Sequence, residues 1–163
     1  MKDLKKIPKH MLVVDDEKSV RDLLAEYLNE YGYEVTCAAN GQDALKIYKQ
    51  GHFDIILSDL NMAPMDGLEL LSKVKEINSD AIFIMITGYP SITSSIEAIK
   101  KGARDYITKP FNIDEIRVKV ERALLEKSLR GRLKNAQGIV WALIISIPVW
   151  LVFGIILAKM LME

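Results

Sequence analysis

Residues 81–87, AIFIMIT, form an apolar run with almost no polar alternation. A strand of that kind cannot turn one face to water; it needs helices against both of its faces. The rest of the chain supplies them. MLVVD (11–15) is a second buried-strand candidate, followed by a helix from about Lys18 to Glu30 with Val20, Leu23, Leu24, Tyr27 and Leu28 on one side. The turn Tyr31-Gly32-Tyr33 leads to a strand, EVTCAA, and then to a helix from about Gly41 to Lys49, stopped by Gly51. DIILSD (54–59) is a third strand, and Asp66 is placed to cap the helix GLELLSKVKEI. A helix across 92–101, a strand at 104–108 after Gly102, and a long helix from near Asn112 complete the series. Its apolar stripe is Ile113, Ile116, Val120, Ala123 and Leu124. Five βα units predict an α/β fold, an open, doubly wound parallel sheet with right-handed crossovers.

A second apolar run is of a different kind. Gly138 to Ala158, GIVWALIISIPVWLVFGIILA, is 21 consecutive uncharged positions. As a helix rising about 1.5 Å per residue it spans roughly 30 Å, the thickness of a bilayer core. The pattern predicts a transmembrane helix over 138–159, tolerating Pro148. Lys127, Arg130, Arg132 and Lys134 precede it without an acidic residue among them, which reads as a basic juxtamembrane linker over 128–137. That bias places the soluble domain on the cytoplasmic side of a cell membrane, single-pass. Gly154 and Ala158 form a small-residue pair suited to a membrane protein partner or to self-association through this helix.

Composition narrows the function classes. The 163 residues carry 22 basic and 22 acidic side chains, a balance that predicts no nucleic acid partner. Cys37 is the single cysteine, in an apolar-looking run, so no internal disulfide forms and a reducing compartment is favoured. The N-terminal MKDLKKIPKH is charged and leads into only a short apolar run, unlike a secretory signal.

In a doubly wound sheet, ligand chemistry sits at the C-terminal ends of the strands. Asp15 and Asp16 follow the first strand, Asp59 closes the third, Thr87 the fourth, and Lys109 follows the fifth, just before Pro110. Converging carboxylates repel and raise at least one pKa unless a cation intervenes. A hard divalent ion such as Mg2+ accepts one or two carboxylates while keeping waters and substrate oxygens. Lys109 and Thr87 add a cation and a hydroxyl suited to phosphoryl oxygens, and Asp59 becomes a candidate nucleophile for an aspartyl-phosphate. One acid at a strand end is commonly a helix cap; the case rests on the whole set sharing one edge.

VVDDE (13–17), DIILSDLNMAPMDGLELL (54–71), MITG (85–88) and GARDYITKPF (102–111) occur here in order, and over about residues 10–125 the chain resembles the receiver domain of two-component response regulators. The resemblance implies a CheY-like, flavodoxin-like sheet of order 2-1-3-4-5 with five helices, and a receiver domain over 8–127. It implies phosphorylation of Asp59 by a histidine kinase or phosphotransfer protein. Asp15, Asp16, Asp59 and Asn61, the last through its backbone carbonyl, would hold Mg2+. Thr87 and Lys109 would contact the phosphoryl group, Lys109–Pro110 would be a cis peptide, and Tyr106 would turn inward as Thr87 moves. One stretch departs from the family pattern: Ala63 stands where a proline is usual, with Pro64 one residue later.

These readings combine into a membrane-anchored single-domain response regulator. It would be a phosphoacceptor promoting its own phosphotransfer and slow dephosphorylation rather than a conventional enzyme. The alternatives are a phosphorelay or phosphate-sink intermediate, and a docking scaffold in which phosphorylation is incidental.

Overall fold

A computed structural model describes residues 9–89, 91–131, 133, 142 and 144–146. Its elements run β1 (His10–Val14), α1 (Lys18–Glu30), β2 (Glu34–Ala38), α2 (Gly41–Gln50), β3 (Ile55–Asp59), α3 (Gly67–Ile77), β4 (Ile82–Thr87), α4 (Ile92–Lys100) and β5 (Asp105–Thr108). A further helix, α5, occupies 113–131. Every neighbouring strand pair is parallel, in the order β2-β1-β3-β4-β5. The chain therefore reverses its direction of travel across the sheet between β1 and β3, the position where such folds open a crevice.

Period-two patterning sorts the strands' side chains into two cores. Leu12, Val14, Ile56, Phe83 and Met85 face Ala44 and Tyr48 of α2, Leu70, Leu71 and Val74 of α3, and Ala98 of α4. Met11, Val13, Ile55, Leu57, Ile84 and Ile86 face Leu24 and Leu28 of α1 and Ile116, Val120 and Ala123 of α5. All six residues of β4 are buried, as expected for a strand covered on both sides. β2 has a neighbour on one side only, and Cys37 on it is exposed. Leu23 also faces outward, because the inward stripe of α1 is Leu24 and Leu28, flanked by Val20 and Tyr27.

Local chemistry sets the helix starts. The Asp66 side chain accepts the Glu69 N–H at 2.8 Å, and that of Asn40 accepts the Asp43 N–H at 2.9 Å. At Gly67 a Cβ would lie 2.3 Å from the Asp59 carbonyl oxygen, so only glycine lets α3 begin this close to the end of β3.

The chain divides into two compact units, Met1–Leu124 and Leu125–Glu163. In the second, the described residues 125–131, 133, 142 and 144–146 are helical. The transmembrane helix expected over 138–159 is not supported: among the described residues no helix is long and apolar enough to cross a membrane. Most of that span, and most of the expected linker, lies outside the described residues. The long described helix, α5, carries Asp114, Glu115, Arg117, Lys119, Glu121, Arg122, Glu126, Lys127 and Arg130, a charge density that bilayer hydrocarbon does not accept. An apolar run signals burial without naming the medium in which burial occurs. The membrane anchor, the single-pass placement with its cytoplasmic side and the bilayer partner helix fall together.

Asp66→Ala removes the α3 cap while leaving the core untouched. Urea unfolding of this variant is expected to show a loss of about 1 kcal/mol with an unchanged slope.

Candidate functional site

The register brings the strand ends into one row. Val14 lies opposite Ser58, Asp59 opposite Ile86, and Thr87 opposite Thr108. Asp15, one residue past β1, and Asp59, the last residue of β3, thus emerge side by side at the reversal point. Both are buried, at 1% and 4% exposure, where an uncompensated carboxylate would be very costly. Lys109 supplies the compensation. Its Nζ stands 2.7 Å from Asp15 Oδ2 and 2.9 Å from Asp59 Oδ1, with Glu17 Oε1 farther off at 3.7 Å. The remaining carboxylate oxygens take backbone donors: Asp15 Oδ1 accepts the Glu17 N–H at 2.9 Å and Asp59 Oδ2 the Asn61 N–H at 2.6 Å.

Burial is the largest influence on Asp59 and pushes its carboxyl above the ordinary range. Hydrogen bonding and charge from Lys109 and the Asn61 N–H pull the other way, while the Asp15 charge adds to the rise. For Lys109, burial opposes the charged form most strongly. Hydrogen bonds and charge from Asp15 and Asp59 outweigh it, so its pKa is raised and the ammonium persists. The site is an acid–cation–acid bridge in which burial leaves the Asp59 carboxylate the less stabilised acid.

The other sequence-predicted residues are placed less tightly. Thr87 is fully buried; its Oγ1 accepts the Tyr89 N–H at 3.2 Å and its carbonyl accepts the Lys109 N–H at 2.7 Å. Tyr106 is half-buried against the α2–α4 core, and its hydroxyl pairs with Ser94 Oγ at 3.2 Å. The Lys109–Pro110 and Ala63–Pro64 peptides are both cis. Asp16 is exposed and does not join the bridge through its carboxylate; only its carbonyl is engaged, by Arg21. Among the described residues no group of three or more His, Cys, Asp or Glu side chains forms a metal site. Of the four residues expected to hold the ion, the structure brings the Asp15 and Asp59 carboxylates together, with the Asn61 N–H beside Asp59 and Asp16 outside the bridge. That pair still suits Mg2+. Both donors are hard oxygens, one small cationic group already fits between them, and this ion needs only one or two carboxylates. Sequence reading missed Arg21 and Ser94. Both lie a few residues beyond a strand end, where helix geometry turns a side chain back toward the loop.

Lys109→Met removes the two Lys109 influences that hold the Asp59 carboxyl down. Its titration midpoint, followed by carbon NMR of the side-chain carboxyl, is expected to move further up; an unchanged or lower midpoint contradicts the bridge.

Comparison with known proteins places this geometry. Residues 11–121 match the family model described as response regulator receiver domain. The chain is 39% identical over 118 residues to sporulation initiation phosphotransferase F of Bacillus subtilis, covering 72% of this chain and 95% of that protein. It is 38% identical over 119 residues to transcriptional regulatory protein ZraR of Klebsiella oxytoca, covering 73% of this chain. The chain spans only 27% of that regulator's length. Among solved structures, response regulator protein TrrA of Thermotoga maritima, in complex with Mg(2+)-BeF, shares 38% identity at a TM-score of 0.65. The match covers 71% of this chain and 98% of that one. Relatives named as transcriptional regulatory proteins overturn the expectation of no nucleic acid partner. Balanced charge reports on this chain's own surface, whereas partners engaged elsewhere in a longer regulator leave no mark on it. The chain belongs to the response regulator receiver domain family and, as such a domain, is a phosphoacceptor that promotes its own phosphotransfer and dephosphorylation rather than a conventional enzyme.

Proposed function

We propose that residues 8–127 receive a phosphoryl group on Asp59 from a histidine kinase or phosphotransfer protein. The observation that carries this reading is the buried Asp59 carboxylate held at the sheet's reversal point by Lys109 Nζ at 2.9 Å. An Asp59 carboxylate oxygen attacks phosphorus in line. The new O–P bond forms as the bond from phosphorus to the donor's imidazole nitrogen breaks, and the electron pair leaves with that nitrogen. Lys109 follows the charge onto the phosphoryl oxygens, and the Thr87 hydroxyl donates to one of them. Asp15, Asp16 and Asp59, with the Asn61 backbone carbonyl, would hold Mg2+. When bound, that ion neutralises charge on the transferring group. Movement of Thr87 toward the phosphoryl group frees the space into which Tyr106 turns, altering the surface of α4, β5 and α5.

Two outputs suit this switch. The relatives named as transcriptional regulatory proteins support a role in which a further part of a longer regulator reads the altered surface. Similarity spanning 95% of sporulation initiation phosphotransferase F supports a relay, in which Asp59 passes its phosphoryl group onward.

Mass spectrometry of the full chain after Mg2+ and acetyl phosphate tests the shared step. One added phosphoryl group is expected in the wild type, stable to acid and labile to base, and none in Asp59→Asn. Equal labelling of both would assign the wrong nucleophile.

A further inference from the structure

Arg21 stands one turn into α1, half-buried, and is used by nothing in the phosphoryl chemistry described so far. Its Nη1 donates to two successive main-chain carbonyls, those of Asp15 and, at 3.0 Å, Asp16. Adjacent carbonyl dipoles aimed at one point repel each other unless a positive group sits between them. A guanidinium suits that task better than an ammonium, because its donors are fixed in a plane and its charge is permanent. The rest of the turn is held from other directions. The Asp15 N–H donates to the Ala38 carbonyl at 3.3 Å, Asp15 Oδ1 accepts from Glu17, and the Arg21 N–H donates to the Glu17 carbonyl at 3.2 Å. The carbonyl side of the 15–16 peptides has Arg21.

From this juxtaposition we infer that Arg21 is a positioning residue for the acidic turn. It fixes the direction in which Asp15 presents its carboxylate to the cation shared with Asp59. The inference rests on the proposed function only in taking Asp15 as a Mg2+ ligand. Arg21 acts through the main chain and touches neither the ion nor the phosphoryl group. It belongs to the set of groups behind a metal ligand whose loss weakens binding by roughly 10–100-fold without removing a ligand. A role confined to starting α1 would lower stability and leave ion affinity alone.

The test compares the wild-type full chain with Arg21→Ala and Arg21→Lys. Calorimetry reads Mg2+ affinity on unphosphorylated protein, and acetyl phosphate labelling reads the Mg2+ concentration giving half the maximal rate. Arg21→Ala is expected to bind Mg2+ about tenfold more weakly. Its half-saturating Mg2+ rises by the same factor, while the labelling rate at saturating Mg2+ is retained. Arg21→Lys keeps the charge without the planar fork and falls between the two. Unchanged Mg2+ affinity in Arg21→Ala overturns the inference, as does a lower saturated rate at unchanged half-saturation. If the alanine variant does not fold, the lysine variant decides on the same criterion, wild-type affinity being the refuting result. A wild type that binds Mg2+ but accepts no phosphoryl group refutes the proposed function, and calorimetry still decides the role of Arg21.

Discussion

Two buried carboxylates share one ammonium at the point where the sheet reverses direction, and the geometry of the site follows from that bridge. Placing Asp15 and Asp59 together away from water is tolerable only with a counter-charge and with hydrogen bonds on the remaining oxygens. Lys109 Nζ and the Glu17 and Asn61 N–H groups supply both. Compensation is nevertheless incomplete at Asp59, whose carboxyl is raised chiefly by burial. Both of its oxygens are nonetheless engaged, one by Lys109 Nζ and one by the Asn61 N–H, so its direction at the strand end is fixed.

The bridge is continuous with the surface through the backbone. The Lys109 N–H binds the Thr87 carbonyl, so the residue holding the two acids and the residue closing β4 share a hydrogen bond across the strand ends. Two residues before the end of β5, Tyr106 reaches across to Ser94 in the first turn of α4. Ser94 is also half of a capping box with Ser91, giving the tyrosine hydroxyl a contact with the helix start itself. Beyond it, α4 shows Ile92, Ile96 and Ile99 to solvent. The Tyr106–Ser94 pair thus ties β5 to the start of a helix whose outer face is apolar and exposed.

Much of this was legible in the chain, and the failures are instructive. The five strands and the α3 cap follow from short-range patterns: apolar runs of strand length and an acid directly before Gly67. The row of Asp15, Asp59, Thr87 and Lys109 was legible because parallel strands of similar length end on the same edge. Leu23 misled because apolar character says that a residue prefers burial, whereas exposure depends on which side of α1 it occupies. The membrane helix expected over 138–159 finds no support among the described residues, where no helix is long and apolar enough to span, and most of that run lies outside them. Asp15 and Asp16 follow the same strand, yet only Asp15 is buried, a difference that residue order alone does not show.

The sequence by itself determined the parallel α/β fold, the family and the identity of the residues at the strand ends, because these depend on local period and on residue order. Tertiary structure alone decided that Lys109 lies between Asp15 and Asp59, that Asp16 stays in solvent, and that Arg21 faces the carbonyls of the acidic turn. Those outcomes depend on strand register and on side-chain direction over a few ångströms. Residues 94 positions apart in the chain, such as Asp15 and Lys109, acquire that relation only when the sheet is assembled.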